Sequence, residues 1–328
     1  MSERVILAGL GEWGAGWYAA LCERFGPGAV AVVDPDPAAA ARMARGGAWF
    51  GCLRDALEGG AKPEFLINSS PPRAHTAINL EAIAAGLPIL CEKPISPSPG
   101  ESRRVVRAAR DAGVPFMVAE NFRRDAVMRR AALIFREGKI GELASVHGQL
   151  FQHYETSKPY WAASPDAFLQ DVVIHVLDLI RFFTADEGAS IFARSYNPIG
   201  SWHPTNAAVC LLMETHRGIQ ATFDGGLASR GGLTSWRGDW RLEGTRGAIL
   251  IRGSTVRVSL PDVETGEDTA TISAPGCLED FLAYLNGDPH PQTLGEDYLR
   301  TEDLLAAAME SARSGLPVRM KIEEDGMS

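Results

Sequence analysis

Three polar side chains in one apolar run are the first residues here that could do chemistry. The run Leu169 to Phe183, LQDVVIHVLDLIRFF, reads as a helix, with Asp171, His175 and Asp178 at i, i+4 and i+7. That spacing lines up an acid, an imidazole and a second acid on one face. An imidazole titrates near neutrality and can take or give a proton there. Burying such a stripe without partners costs about 1–3 kcal/mol per unsatisfied group.

Upstream, Gly9-Leu10-Gly11-Glu12-Trp13-Gly14 follows the apolar run RVILAGL and precedes a helical pattern. In that setting the first glycine permits a tight turn and the second lets backbone approach a pyrophosphate. The third lets the helix pack on the strand. The helix N-terminus adds N–H donors and a favourable dipole. Glu12 and Trp13, inside the loop, join the glycines as expected cofactor contacts. Asp34 ends the second apolar strand, twenty residues after Gly14. A carboxylate there binds both hydroxyls of an adenosine ribose and repels a 2′-phosphate. Pro35 and Asp36 follow, with no adjacent arginine or lysine, so NAD is favoured over NADP. The alternative is a glycine turn with an acid capping a loop.

Glu92-Lys93-Pro94 stands at the carboxyl end of the strand PILC. Open α/β sheets bind ligands at that edge. A lysine there could reach the nicotinamide ring and the oxygen of the reacting carbon, where an ammonium favours a developing alkoxide. Glu92 and Lys93 are grouped with the expected cofactor contacts; the alternative is a solvated lysine paired with Glu92. Ser69-Ser70-Pro71-Pro72 ends the strand EFLINSS and should pass close to the cofactor. Ser69 is an expected contact and Pro71 an expected wall of the nicotinamide pocket. His75, a turn into the next helix, is grouped with the cofactor contacts, although a lone histidine there more often serves structure.

These residues need elements to hold them. RVILAGL, AVAVVD, EFLINSS, PILCEKP and PFMVAE are strand-like runs separated by Ala-rich helical stretches, which means βαβ units and a parallel sheet. Near Asn121 the character changes. A helical stretch leads into ELASVHGQLFQHYE, then the Asp–His helix, then strand-rich sequence. AAVCLLMETHRGIQATFDGG reads as a hairpin around HRG, and RGDWRLEG, GAILIRG and STVRVSL as a meander. The expected division is therefore 1–121, a dinucleotide-binding domain, and 122–328, an α/β domain with a mostly antiparallel sheet. There is no internal repeat, and the tail IEEDGMS is expected to fray.

At 328 residues the chain is long for one core. Its 45% apolar content is ordinary for a globular protein. A net charge of −9 argues against nucleic acid as a main partner. No run approaches the ~18 apolar residues of a membrane span, so no membrane role is expected. The N-terminus lacks a signal-like apolar core. The five cysteines are odd in number, scattered and without a CxxC pair, which suggests buried thiols and a cytoplasmic location.

Taken together, the motifs resemble the Gfo/Idh/MocA family (glucose–fructose oxidoreductase, inositol dehydrogenase, rhizopine catabolism). LAGLGEWG, INSSPPRAHTAINLEAIAAGLPILCEKP, VAENFRR, GKIGELASV, DVVIHVLD, WRLEGTRGAILI and SARSGLPVRM carry the resemblance over nearly the whole chain. It implies an N-terminal Rossmann domain and a C-terminal α/β domain. It further implies that the large open sheet of the latter packs its outer face on another subunit, giving homodimers or homotetramers. The implied reaction is hydride transfer between NAD(P) and a secondary alcohol of a sugar, sugar derivative or cyclitol.

By motif the catalytic trio is Lys93, Asp171 and His175, which would also contact substrate. Oxidising CH–OH needs a base for the hydroxyl proton, a role for His175. Asp171 would orient the hydroxyl or tune Lys93 and His175, and Lys93 would complete the proton network. Asp178 is expected to be a structural partner, to an arginine. Asn121 and Arg123 match the family segment that passes the nicotinamide, Asn121 as a carboxamide or substrate contact and Arg123 as a substrate contact. Trp161 matches a family tryptophan near the cleft. With Gln152, His153, Tyr154 and Tyr160 it either lines a sugar pocket or packs the sheet. His147 and His153 share a strand face, but no third ligand is evident and no metal is expected.

The chain departs from the family in one respect. Members commonly carry a glycine run before the Asp and a glycine two residues before the His. Here the positions read Pro165 to Gln170 and Val173, so substrate identity does not carry over. Two other activities fit the resemblance: an NAD-dependent redox-neutral glycosidase, and a non-catalytic dinucleotide-binding sensor.

Overall fold

The computed structural model describes residues 4–43, 47–60, 62–155, 164–267, 272, 274–288 and 292–320. Tyr160 and Trp161 lie outside them. The chain forms two compact units, Met1–Glu120 with Gly276–Leu299, and Asn121–Pro275 with Arg300–Ser328.

In the first unit, β1 (Val5–Ala8), β2 (Val30–Val33), β3 (Trp49–Phe50), β4 (Phe65–Asn68), β5 (Ile89–Cys91) and β6 (Phe116–Val118) form a sheet. Its order is β3-β2-β1-β4-β5-β6, and every pair is parallel. The strands VILA, VAVV and FLIN are buried along their full length. Such runs suit a sheet covered on both faces. The helices are α1 (Glu12–Phe25), α2 (Pro37–Met43), α3 (Leu53–Glu58), α4 (Pro72–Ala84) and α5 (Pro99–Ala112). The Ser98 side chain caps α5 by accepting from Glu101 N–H (3.4 Å), and Gly113 ends it in the left-handed region (φ 65°). Strand order reverses between β1 and β4, so their carboxyl ends flank the crevice where such sheets take ligands. The sequence reading did not separate β3 and α3. Two residues of strand and six of helix carry no resolvable periodicity.

The second unit contains α6 (Ala126–Arg136), β7 (Leu143–Phe151), a π turn (Leu169–Val173) and α7 (Ile174–Thr184). Six consecutive strands follow: β8 (Gly188–Tyr196), β9 (Ala208–Thr215), β10 (Gln220–Gly226), β11 (Asp239–Gly244), β12 (Ala248–Arg252) and β13 (Thr255–Leu260). β14 (Val263–Glu267) and β15 (Val318–Arg319) complete the strands of this unit; between them in the chain, α8 (Cys277–Leu285) and the start of α9 (Gly295–Ser314) belong to the first unit.

Among the described residues the sheet of this unit has nine strands, ordered β14-β13-β12-β11-β7-β10-β9-β8-β15. It is antiparallel except where β10 runs parallel to β7. The expected HRG hairpin is β9–β10, and the expected meander is β11–β12–β13. Burial alternates along β9: Val209, Leu211 and Met213 point inward, Cys210, Leu212 and Glu214 outward. α7 covers the inner face, where Phe183 meets Trp240 edge-on at 5.4 Å.

One boundary after residue 121 does not describe the chain. Gly276–Leu299 returns to the first unit. Phe281 of α8 packs edge-on against Phe65 at 5.6 Å, and Cys277 and Leu278 join the same apolar cluster. Tyr298 donates its hydroxyl to Glu120 (3.0 Å), and Thr293 donates to the Val118 carbonyl (2.7 Å). The partners are more than 150 residues apart, and no local pattern announces such a return. Among the described residues no helix is long and apolar enough to cross a membrane, and no group of three or more His, Cys, Asp or Glu is placed to hold a metal.

Candidate active site

In the first unit the site grows from the carboxyl ends of β1, β2, β4 and β5. Gly9 leaves β1 at φ 92°, and a Cβ there would lie 2.5 Å from Ser70 backbone atoms. A Cβ on Gly14 would stand 2.1 Å from the Gly9 carbonyl oxygen. Neither contact can relax, because both neighbours are main chain. Gly11, by contrast, would meet nothing within 4 Å, so the start of α1 faces open space. That is the room a pyrophosphate needs above the N–H groups of a helix start. Glu12 lies in the exposed first turn, and Trp13 is 55% exposed.

Asp34 ties the second strand to this loop. Its Oδ2 accepts from the Leu10 N–H (2.7 Å) and its Oδ1 from the Asp36 N–H (2.8 Å). Each carboxylate oxygen has capacity for another donor. The acid caps the glycine turn and keeps acceptor capacity at the carboxyl end of β2. Ser69 donates its hydroxyl to the carbonyls of Ala8 (3.0 Å) and Gly9 (2.9 Å). Pro71 is exposed at the start of α4.

His75 requires a correction. It is fully buried, and both ring nitrogens face main-chain carbonyls, Nδ1 that of Pro94 (2.7 Å) and Nε2 that of Ser70 (2.6 Å). It joins the Ser69–Pro71 turn to the Lys93–Pro94 turn and presents no surface to a ligand. Burial pushes its pKa down, against the two carbonyls that raise it. Asn79 supports the same layer, accepting from Asn68 Nδ2 (2.8 Å) and donating to Cys91 Sγ (3.3 Å). Glu92 accepts from the Trp17 indole (2.8 Å), so the lysine-bearing turn is hydrogen-bonded to α1. Trp17 was missed: nothing between residues 17 and 92 in sequence signals that pairing. The Lys93–Pro94 peptide is cis.

In the second unit, Asp171 is half-buried in the π turn and His175 is buried in the first turn of α7. Wide turns of this kind are frequent at functional sites. The imidazole of His175 stacks on the Phe122 ring, centroids 4.2 Å apart and planes within 10°. Asp178 is fully buried and accepts from Arg123, Nε to Oδ2 at 2.6 Å with Nη2 on Oδ1, and from Thr301 (3.1 Å). This fits the expected arginine partner for Asp178. The Arg123 guanidinium, buried and engaged bidentately, anchors this helix.

Asn121 Oδ1 is buried with no hydrogen-bond partner among the described residues, an acceptor that a ligand could satisfy. Tyr154 meets Trp236 edge-on at 5.4 Å, and its carbonyl accepts from the Trp202 indole (3.0 Å). Gln152 donates to the Thr234 carbonyl (2.6 Å), and His153 lies 4.4 Å from Trp202. Part of the aromatic stretch therefore packs against the 197–206 and 228–238 loops. His147 is held by Ser145 and Thr222.

The parallel six-stranded sheet with its glycine turn is the fold of a dinucleotide-binding α/β protein. Residues 4–120 match the oxidoreductase family with an NAD-binding Rossmann fold, and residues 128–250 match the GFO/IDH/MocA C-terminal domain. An inositol 2-dehydrogenase of Arthrobacter sp. is 31% identical over 257 residues, 70% of this chain and 74% of its own length. A D-apiose dehydrogenase of Paraburkholderia graminis is 26% identical over 320 residues, 89% and 83% of the two chains. Among solved structures, an oxidoreductase from Agrobacterium radiobacter in complex with NAD+, L-tartaric acid and magnesium superposes with a TM-score of 0.84. It is 24% identical, covering 97% of this chain and 98% of that one. The WlbA dehydrogenase of Bordetella pertussis, in complex with NADH and UDP-GlcNAcA, gives 0.79 at 21% identity over 98% and 100%. The chain belongs to the Gfo/Idh/MocA family of NAD-binding oxidoreductases.

Proposed function

We propose that the chain is an NAD-dependent dehydrogenase acting on a secondary alcohol of a sugar, sugar derivative or cyclitol. One observation carries the reading furthest: the Asp34 carboxylate is fixed on the Leu10 N–H beside the open edge at Gly11. An acid held there accepts ribose hydroxyls and repels a 2′-phosphate, which favours NAD over NADP. The names of the relatives supply the alcohol class, inositol and D-apiose.

The dinucleotide, when bound, supplies the hydride acceptor. Gly9, Gly11, Gly14 and the first turn of α1 cradle its phosphates, Asp34 takes the ribose, and Pro71 walls the nicotinamide. His175 accepts the hydroxyl proton as hydride leaves carbon. Asp171, one turn earlier, orients that hydroxyl. The Lys93 ammonium stabilises negative charge developing on the oxygen. Asn121 Oδ1 takes a donor from the ligand. The outer face of the nine-stranded sheet, where Leu212 is 48% exposed and pairs with Phe192 on β8 and Thr222 on β10, is the surface proposed for homodimers or homotetramers.

Titration with NADH and NADPH tests the cofactor, read as energy transfer from tryptophan to the reduced nicotinamide. Tight NADH and weak NADPH are expected. A panel of sugars and cyclitols, including myo-inositol and D-apiose, is then offered with NAD, and NADH production is expected from at least one. Failure of both nucleotides to bind, in transfer and in competition, overturns the reading. Consumption of a glycoside without net NADH would move it to redox-neutral cleavage.

A further inference from the structure

Phe122 opens a short 3-10 turn, Phe122–Arg124, and is buried. One face of its ring carries the His175 imidazole at 4.2 Å. The Arg237 guanidinium carbon stands 4.8 Å from the same ring centroid. A ring stacked that closely leaves no room for a cation on the occupied face, so Arg237 takes the other. Arg237 Nε lies 3.7 Å from Asp125 Oδ2, and Asp125 Oδ1 accepts the Val127 N–H (2.9 Å) that caps α6. Cap, guanidinium, ring and imidazole thus form one series, Asp125, Arg237, Phe122, His175.

The torsion that turns an imidazole about its Cβ–Cγ bond is intrinsically broad. Helix packing fixes where His175 starts, and contacts on the ring itself narrow that rotation. A flat ring parallel to the imidazole removes it, and a cation on the far face holds the flat ring. Lower down α7, Arg123 and Thr301 on Asp178 keep the helix from sliding. We infer that Phe122, backed by Arg237, is a positioning residue that sets the plane of the His175 imidazole. The inference rests on the reading of His175 as the base. Neither residue touches the reacting atoms.

The test uses the full chain with isotope-labelled histidine. The His175 ring signal is identified by its loss in His175→Gln. In the unsubstituted protein that signal is expected upfield, shifted by the stacked ring. Phe122→Leu, which fills similar volume without a plane, removes the shift, and Phe122→Tyr keeps it. With an alcohol from the panel, Phe122→Leu lowers kcat about 10- to 100-fold while KM stays within about twofold, because only the proton transfer is misaligned. Phe122→Tyr restores kcat. If Phe122→Leu does not fold, Arg237→Met, which keeps an apolar stem, should give a smaller loss of kcat at unchanged KM. An unshifted His175 signal in the unsubstituted protein overturns the inference. So does a folded Phe122→Leu that either keeps full kcat or changes KM alone. If no panel alcohol reacts, the dehydrogenase reading suffers, while the ring signal still decides whether the stack holds the imidazole.

Discussion

Lys93 and Asp34 make opposite demands on a substitution experiment. Lys93→Ala is expected to abolish turnover and leave NADH binding within a few-fold, since the ammonium acts on the alcohol oxygen. Unchanged turnover in a steady-state assay would remove Lys93 from the mechanism. Asp34→Ala should weaken NADH and narrow the preference over NADPH, because it removes both the ribose acceptor and the 2′-phosphate repulsion. The ratio of the two dissociation constants measures it. His75 sets a pH dependence. Its folded pKa lies below the ordinary value of 6.5, chiefly through burial. The unfolded chain therefore binds the proton more readily. The stability this group contributes is complete above about pH 6.5 and is lost as pH falls toward the folded pKa. Thermal midpoints from pH 7.5 to 5 should fall, and less steeply in His75→Gln, which begins from a lower midpoint.

At the scale of elements, two joints hold the proposed chemistry. The glycine turn tolerates no Cβ at Gly14, where the nearest atom is a backbone oxygen 2.1 Å away. Gly14→Ala should move α1 off β1 and weaken NADH binding more than it lowers the melting point. Both are read on the same sample. The second joint is the Arg123–Asp178 pair under α7. Removing one partner of a buried pair strands the other, so Asp178→Asn should destabilise by about 3–5 kcal/mol in denaturant unfolding. A loss under about 1 kcal/mol would mean that Thr301 and the surrounding groups hold the helix without the pair.

For the whole molecule, the outer sheet face gives a concentration-dependent expectation. Light scattering should report a homodimer or homotetramer, and Leu212→Glu should shift it toward the monomer by placing a charge at a desolvated contact. A monomer in the unsubstituted protein at high concentration would remove the sheet face from the proposal. The return of Gly276–Leu299 to the first unit means that neither unit is a continuous piece of chain. A fragment ending near residue 121 should fold poorly, because Phe65 loses Phe281 and Glu120 loses Tyr298.

Much of the fold could be read from the sequence because its signals are local. Continuous apolar runs such as VILA and VAVV mark doubly covered strands, and alternation along β9 marks a sheet with one open face. The glycine turn, Asp34, the Glu92–Pro94 turn and the Asp171–His175 spacing were legible for the same reason: backbone geometry and helical period act over a few residues. Only the tertiary structure decided which side chains those residues meet. It engaged Arg123 on Asp178, buried His75 between two carbonyls, joined Trp17 to Glu92, and stacked Phe122 between His175 and Arg237. Those partners are separated by up to 115 residues, from Phe122 to Arg237. Hydrogen bonds and ring contacts act at 3–5 Å through space and leave no periodic trace along the chain.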